Sequence, residues 1–274
     1  MVDTSPPKPT ASDSGPRCLA TILTEGREPA DLYSVEGSRL YERFAEFDDS
    51  EQRELLRRLS RTDGDILELA AGGGRLTLPF LSLGRPVFGI DLSPEMVRIL
   101  RDRYDHLPAS RRRVSLTAEI ADMRCFDLQR RFGAIVLATT SVFLLDAGGR
   151  QQLFASVKAH LASGGVFLLT VYAAPLRPGA TSTRVIPLAG QHPEVVLLSD
   201  LVGDDGRTRE ISALHVARSE EGALDVSSYS SVVFVASEDE LDAELAAAGL
   251  TRVESIEVGG SADAGALRIL GYSA

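Results

Sequence analysis

The chain has few of the residues that build metal centres, disulfide frameworks or membrane spans. Its two cysteines, Cys18 and Cys125, lie far apart without metal-ligand spacing, so free thiols are expected. The four histidines, His106, His160, His192 and His215, form no metal pattern either. No apolar run reaches the roughly 18 residues that a membrane span requires. The amino terminus, Met-Val-Asp-Thr-Ser-Pro-Pro-Lys-Pro, lacks the apolar core of a signal peptide. Basic residues are outnumbered, 29 Lys and Arg against 39 Asp and Glu, giving a net charge of −10 and a pI near 5.0. Nucleic acid is disfavoured as a partner, because its binders present a basic face to the phosphates. No internal repeat is evident. A cytoplasmic protein without metal or membrane is expected.

What is present is ordinary for a globular chain: 274 residues, 44% hydrophobic and 25% charged. That is enough for one large domain, or for a domain with a subdomain. The most informative stretch is Asp65-Ile-Leu-Glu-Leu-Ala-Ala-Gly-Gly-Gly-Arg75, closed by Gly89-Ile-Asp91-Leu-Ser-Pro-Glu95. Ile66, Leu67 and Leu69 make the short apolar run of a parallel strand covered on both faces. Gly72, Gly73 and Gly74 follow, where backbone approaches a ligand that a Cβ would block. A helix from Arg75 to about Ser82 tolerates Pro79 only near its first turn. Val87–Ile90 is the next strand, and Asp91 stands at its tip, about 20 residues on, where an acid binds ribose hydroxyls. The pattern points to a nucleotide-type cofactor.

A dinucleotide fingerprint requires G-x-G-x-x-G, yet the run from Gly72 ends on Thr77 and the third glycine is missing. Glu68, just before the loop, would repel a phosphate and suit a cation. An NAD-dependent oxidoreductase is disfavoured on both counts.

The remaining pattern alternates strands and helices. Strands are expected near 65–70, 86–90, 113–118, 133–139 and 165–172, with helices near 75–82, 94–104 and 147–161. Ser93-Pro94-Glu95 is a helix start with a capping serine, and Ser163-Gly164-Gly165 reads as a helix stop. Alternation with short connections implies an open parallel sheet wound on both sides. Before it, residues 1–17 read as a disordered tail and 18–61 as a helical cap, with Leu40, Phe44 and Phe47 on one helix face. Residues 62–172 form the core. Residues 173–236 change character: Pro-, Gly- and Thr-rich to about 190, then strand-like stretches punctuated by Asp204-Asp-Gly206 and Glu220-Glu-Gly222. This is an antiparallel insert, expected to cover a substrate, and an exposed hairpin edge in it hints at a homodimer. Residues 237–274 return to the core with a helix near 238–248 and strands near 251–258 and 266–273.

The run E-L-A-A-G-G-G-R resembles motif I of class I S-adenosylmethionine (SAM) methyltransferases, E/D-x-G-x-G. The likeness covers roughly residues 30–274. It implies an α/β fold: a Rossmann-like class I methyltransferase sheet with an N-terminal helical cap and an antiparallel insertion after the fifth core strand. Leu67-Glu-Leu-Ala-Ala-Gly-Gly-Gly-Arg-Leu-Thr-Leu-Pro-Phe-Leu81 and Arg131-Phe-Gly-Ala-Ile-Val136 are similar to the N-methyltransferases of peptide antibiotics. Those are the glycopeptide leucine N-methyltransferases and the daptide-type ribosomal peptide enzymes. Macrolide sugar N,N-dimethyltransferases resemble it more distantly.

The resemblance implies that SAM is the cofactor and S-adenosylhomocysteine (SAH) the product. Glu68 and the backbone around Ala70, Gly72 and Gly74 would hold the methionine amine, with Ala138 at the tip of the fourth core strand. Asp91 would accept both ribose hydroxyls, and Leu92 and Met96 would flank the adenine. Ala121-Asp122-Met123-Arg124 matches a G-D-M-R pattern, so Asp122 would accept from the adenine amine and the Met123 backbone would meet the ring. Arg75 would cap the cofactor or pair with an acid. Each has a bland counterpart: Met96 as core, Asp122 as a loop acid or helix cap.

On the acceptor side, related sugar enzymes carry a histidine after the fourth core strand, and Leu144 stands there in this chain. An amine acceptor is favoured, because a deprotonated amine needs no dedicated base while a hydroxyl acceptor usually does. Thr140 and Ser141 would face the acceptor, and Tyr33 resembles a tyrosine that closes over SAM or substrate, with Tyr41 a weaker candidate. His106 and His160 are expected at the surface, and His192 and His215 as solvated or packed residues of the insert. The leading expectation is N-methylation, once or twice, of a peptide-derived natural product. An amino sugar, a small-molecule hydroxyl, or SAM binding without catalysis are the alternatives.

Overall fold

The computed structural model describes residues 23–24, 26–45, 49–173, 177–188, 193–219, 222–258 and 266–274. The expected tail over 1–17, Cys18, Phe47 and His192 fall outside them, as does the side chain of Phe44. The chain divides into two compact units, one from Met1–Phe47 with Leu176–Val235, the other from Asp48–Pro175 with Ala236–Ala274.

The larger unit is built on a seven-stranded sheet. Its elements in chain order are α2 (Ser50–Leu59), β2 (Ile66–Leu69), α3 (Thr77–Phe80), β3 (Val87–Asp91), α4 (Pro94–Asp105), β4 (Leu116–Ile120), β5 (Phe132–Leu137), α5 (Ala147–His160), β6 (Leu161–Tyr172), α6 (Glu238–Ala247), β11 (Thr251–Val258) and β12 (Leu267–Ser273). The strand order is β11-β12-β6-β5-β2-β3-β4. The five strands from β6 to β4 run parallel, and β12 and β11 close one edge antiparallel. From β2 the chain moves outward first to β3 and β4, then returns to β5 and β6 on the other side. The order reverses between β2 and β5, and ligands bind outside the carboxyl ends of strands at such a point.

Burial follows the period-two alternation of the strands. One face sends Ile66, Ala134, Val136 and Leu168 against Leu55 and Leu59 of α2 and Phe80 of α3, all fully buried. The other face carries Leu67, Ile135, Leu137, Phe167 and Leu169, as inaccessible as the first. Phe154 of α5 meets Phe167 edge-on at 6.3 Å. Arg150 of α5 donates twice to Glu244 of α6, at 2.8 and 2.7 Å. Helix starts follow their capping residues. Ser93 accepts from Met96 N–H with Pro94 at the first position, Asp146 accepts from Gly149 N–H, and Ser237 with Glu240 forms a capping box.

Several expectations change. The helix after the glycines is only Thr77–Phe80, continued as a 3-10 turn over Leu81–Leu83; Pro79 falls in a helix too short to need its N–H. The strand expected near 113–118 runs Leu116–Ile120. Ser163-Gly164-Gly165 does not stop a helix. Helix α5 ends at His160, and those residues form an irregularity inside β6, whose pairing with β5 skips from Leu161 to Val166. His160 is buried, not at the surface. Its ring packs on Phe126 at 4.4 Å and accepts from Leu128 N–H at 3.2 Å. His106 is exposed, as expected.

The smaller unit contains β1 (Ala30–Asp31), α1 (Val35–Ala45) and β7 (Thr181–Pro187), β8 (Glu194–Val202), β9 (Thr208–Arg218) and β10 (Leu224–Phe234). They form a sheet ordered β1-β10-β9-β8-β7, antiparallel except for the short β1–β10 pairing. Strand β7 lies in the stretch whose proline, glycine and threonine content hid it. Within this unit Glu194 accepts from both Arg43 nitrogens, at 2.6 and 2.7 Å, and lies 2.6 Å from His215 Nε2. The Arg43 bonds hold its carboxyl down to about 2, and His215 is thereby a packed residue of the sheet.

Gly133, near the start of β5, packs against the turn at Asp63 and Gly64; a Cβ there would overlap the Asp63 carbonyl oxygen. Gly133→Ala is expected to destabilise the protein by about 2–4 kcal/mol, since backbone must move. Urea unfolding measures this. An unchanged midpoint would mean the turn yields without cost.

Candidate cofactor and acceptor site

The carboxyl ends of the five parallel strands lie on the side of the sheet where the crevice opens. After β2 the chain turns through Ala70 and Gly72, both left-handed at φ 54°, and Gly74 at φ 92°. Gly74 is required twice over, by its φ and because a Cβ there would overlap Leu100 of α4. Its missing side chain thus serves helix packing. Arg103 Nη1 donates to the Gly73 carbonyl at 2.8 Å and holds the turn from α4.

At the tip of β3, Asp91 accepts from Gly72 N–H through Oδ2 at 2.8 Å and from Ser93 N–H through Oδ1 at 2.9 Å. Its carboxylate joins the glycine turn to the start of α4 and retains lone pairs for further donors. Beside it, Leu92 is 69% exposed, and Ile120 at the tip of β4 is 54% exposed. Two exposed apolar side chains on neighbouring strand tips offer a surface for a flat ring. Met96 does not share it: the residue is 3% exposed and packs in the interior, the bland reading weighed for it. Ile120 is the apolar residue that sequence reading missed. Asp122 is engaged by Arg124, whose guanidinium and backbone N–H both donate to it, and the bonds hold its carboxyl below the usual range. Met123 is half-buried beside it.

Glu68 points into the interior beneath the glycine turn, buried, and accepts from the Thr77 hydroxyl. Burial pushes its carboxyl up to about 8, against the opposing pull of Thr77 and Arg75. Arg75 resolves to the second of its two expected roles. Its Nη2 pairs with Glu51 of α2 at 3.1 Å and donates to Thr139 Oγ1 at 2.8 Å.

After β5 come Ala138, buried, then Thr139 and Thr140, left-handed at φ 56° and 57°. Ser141 N–H donates to the Ala138 carbonyl at 3.1 Å and opens a 3-10 turn over Ser141–Leu144. Thr140 Oγ1 lies 3.2 Å from the hydroxyl of Tyr172, at the end of β6, and Tyr172 stacks on Phe143 at 5.7 Å. Glu51 and Tyr172 are the polar residues of this region that sequence reading overlooked. Tyr33, half-exposed, lies in the smaller unit, its N–H donating to Asp31 and its ring 6.5 Å from Tyr41. No group of three metal-ligating side chains occurs among the described residues, and no described helix is long and apolar enough to cross a membrane.

Residues 66–165 match the family described as a methyltransferase domain, the segment that contains the glycine turn, Asp91 and the Thr140 turn. The glycopeptide N-methyltransferase MtfA, solved with sinefungin, is 27% identical; the match covers 94% of this chain and 97% of that one, with a TM-score of 0.63. The chain is a class I SAM-dependent methyltransferase. SAM is its cofactor, and MtfA has been solved with SAM and with SAH. The methyltransferase also shares its fold with SAM-bound CalS10, an amino pentose methyltransferase from Micromonospora echinaspora involved in calicheamicin biosynthesis. That match is 22% identical over 90% of this chain and 100% of that one, TM-score 0.66. CcbJ from Streptomyces caelestis, 23% identical over 82% and 95%, has a TM-score of 0.65. No curated protein sequence matches the methyltransferase. The residues present fit the cofactor: a carboxylate at a strand tip, an open glycine turn and two exposed apolar side chains suit ribose, amino acid and adenine in turn.

The raised Glu68 value has a stability consequence. Above the ordinary 4.5 the unfolded chain has lost a proton that the folded protein keeps up to about 8. Folding stability therefore falls as pH rises through that window, by at most about 1.4 kcal/mol per pH unit, and levels off above it. Glu68→Gln, which stays neutral, is expected to flatten this decline. Unfolding curves from pH 5 to 9 measure it; parallel trends in both proteins would show that Glu68 does not titrate there.

Proposed function

We propose that this methyltransferase transfers one or two methyl groups to an amine of a peptide-derived natural product. The observation that carries the reading is the likeness to the glycopeptide N-methyltransferase over nearly the whole of both chains. The chemistry of the Thr140 turn supports it. When bound, SAM supplies a methyl group already activated on a sulfonium, so alignment does most of the work. The side chains grouped around the turn are the hydroxyls of Thr140, Ser141 and Tyr172, with Leu144 and Phe143; Glu51, the carboxylate nearest in this network, is committed to Thr139 and Arg75. Hydroxyls accept from an amine N–H and orient its lone pair without needing to remove a strongly held proton. With SAM held there, the amine lone pair would form the new N–C bond as the methyl's bond to sulfur breaks, the sulfur keeping that electron pair, and the ammonium proton would pass to water while Thr140, Ser141 and Tyr172 orient the amine.

In this reading Asp91 accepts the ribose hydroxyls, Leu92 and Ile120 flank the adenine, and Asp122 with the Met123 backbone meets its edge. The backbone of Ala70, Gly72 and Ala138 holds the methionine portion above Glu68. Thr140 and Ser141 meet the acceptor. The enzyme would work in the cytoplasm, in natural-product biosynthesis. An amino sugar is the second reading, favoured by the shared fold of the amino pentose enzyme.

The test is mass spectrometry after incubation with SAM and a panel of peptide amines, amino sugars and phenols. Gain of one or two methyls on peptide amines alone is expected; methylation confined to sugars or phenols would overturn the acceptor. Asp91→Ala is expected to weaken SAM binding by about 1.5–3 kcal/mol, the scale of hydrogen bonds to a charged group. Calorimetric titration checks it, and an unchanged affinity would place the ribose elsewhere.

A further inference from the structure

One buried cluster plays no part in the chemistry above. Glu51 lies in the first turn of α2, 4% exposed. Its Oε1 accepts from Thr139 N–H at 2.7 Å, and its Oε2 accepts from Arg75 Nη2 at 3.1 Å. The same Arg75 nitrogen donates to Thr139 Oγ1 at 2.8 Å, closing a triangle. Its corners come from three separate segments: the helix before β2, the glycine turn after β2, and the turn after β5.

Thr139 and Thr140 give the cluster its significance. Each is β-branched and left-handed, a conformation such residues rarely adopt, and here two occur in succession. Strain of this kind persists only where the surroundings impose it. Glu51 fixes the first threonine by its N–H, and Tyr172 engages the hydroxyl of the second. Arg75 ties the same carboxylate to the turn above Glu68.

We propose that Glu51 is a positioning residue that couples the two turns. Through Arg75 and Thr139 it sets the left-handed Thr139–Thr140 turn relative to the glycine turn, so that occupation of the cofactor side orders the acceptor side. The coupling concerns the cofactor and the protein alone and holds for any acceptor.

Glu51→Gln separates this role from simple anchoring of α2. It keeps the volume and an acceptor oxygen for Thr139 and removes the charge that holds Arg75. Leu55 and Leu59, which bury α2 against the sheet, are untouched. Hydrogen exchange would be followed by mass spectrometry at residues 70–76 and 139–144, with and without saturating SAH. In the wild type, SAH is expected to slow exchange in both segments, by about tenfold at 139–144, the usual range of coupling between sites. In Glu51→Gln, SAH should still protect 70–76, while the added protection at 139–144 is lost. Thr139→Val, which removes the hydroxyl that accepts from Arg75 and donates to Glu51 at 3.5 Å, should weaken the coupling in the same direction and serves alone if Glu51→Gln does not fold. Equal SAH protection of 139–144 in wild type and variants would overturn the proposal. So would faster exchange spread evenly over α2 and the sheet, the mark of mere anchoring. Loss of SAH binding in Glu51→Gln would overturn it too, since Glu51 would then belong to the cofactor pocket.

Discussion

Where a parallel strand ends, its backbone N–H groups lose their ladder partners and must find others. In this protein carboxylates supply them at the crevice where the strand order reverses. Asp91 takes Gly72 and Ser93; Glu51 takes Thr139. Charge-assisted bonds of this kind are about twice as strong as neutral ones, and those to Gly72 and Thr139 join residues 19 and 88 positions apart in sequence. The turns proposed to meet the cofactor are therefore shaped by acids already in place. With both carboxylates removed, Gly72 and Thr139 would retain their left-handed geometry only through the sheet beneath them.

This arrangement bears on how the methyltransferase carries out group transfer. Methyl transfer asks for alignment of nucleophile, carbon and sulfur, and alignment depends on turns that do not drift. Two consecutive left-handed threonines are a costly way to shape a loop, and they place the Thr140 hydroxyl beside Tyr172. Beneath the glycine turn, Glu68 stays largely protonated at neutral pH because its burial outweighs the pull of Thr77 and Arg75. A neutral acid there lets the turn lie on an apolar interior without an uncompensated charge.

The parts that could be read from sequence were those with a local signature. Ile66–Leu69 announced a doubly covered strand, the glycines a positive-φ turn, Asp91 a strand-tip acid, and Ser93-Pro94 a capped helix; each depends on neighbours within a few residues. Glu51 could not be read this way. Its partners, Arg75 and Thr139, lie 24 and 88 residues on, and a Glu in the first turn of a helix looks like any solvated one. Ile120 and Tyr172 were overlooked because strand-end exposure and pairing emerge only once the strands are registered. His160 was misplaced because a histidine near a helix end gives no hint that the loop over 124–128 packs across it. Met96 carried two readings, core and adenine flank, and it is 3% exposed. Strand β7 was concealed by the composition of an exposed edge, which needs few apolar residues.

A crystal structure of the SAH complex tests most directly whether the carboxylate-shaped crevice is the cofactor site. The expected result is a ribose with both hydroxyls on Asp91, the adenine between Leu92 and Ile120, and the amino-acid portion against the backbone of Ala70, Gly72 and Ala138. A nucleoside bound away from the tips of β2 and β3, with Asp91 holding only Gly72 and Ser93, would contradict it.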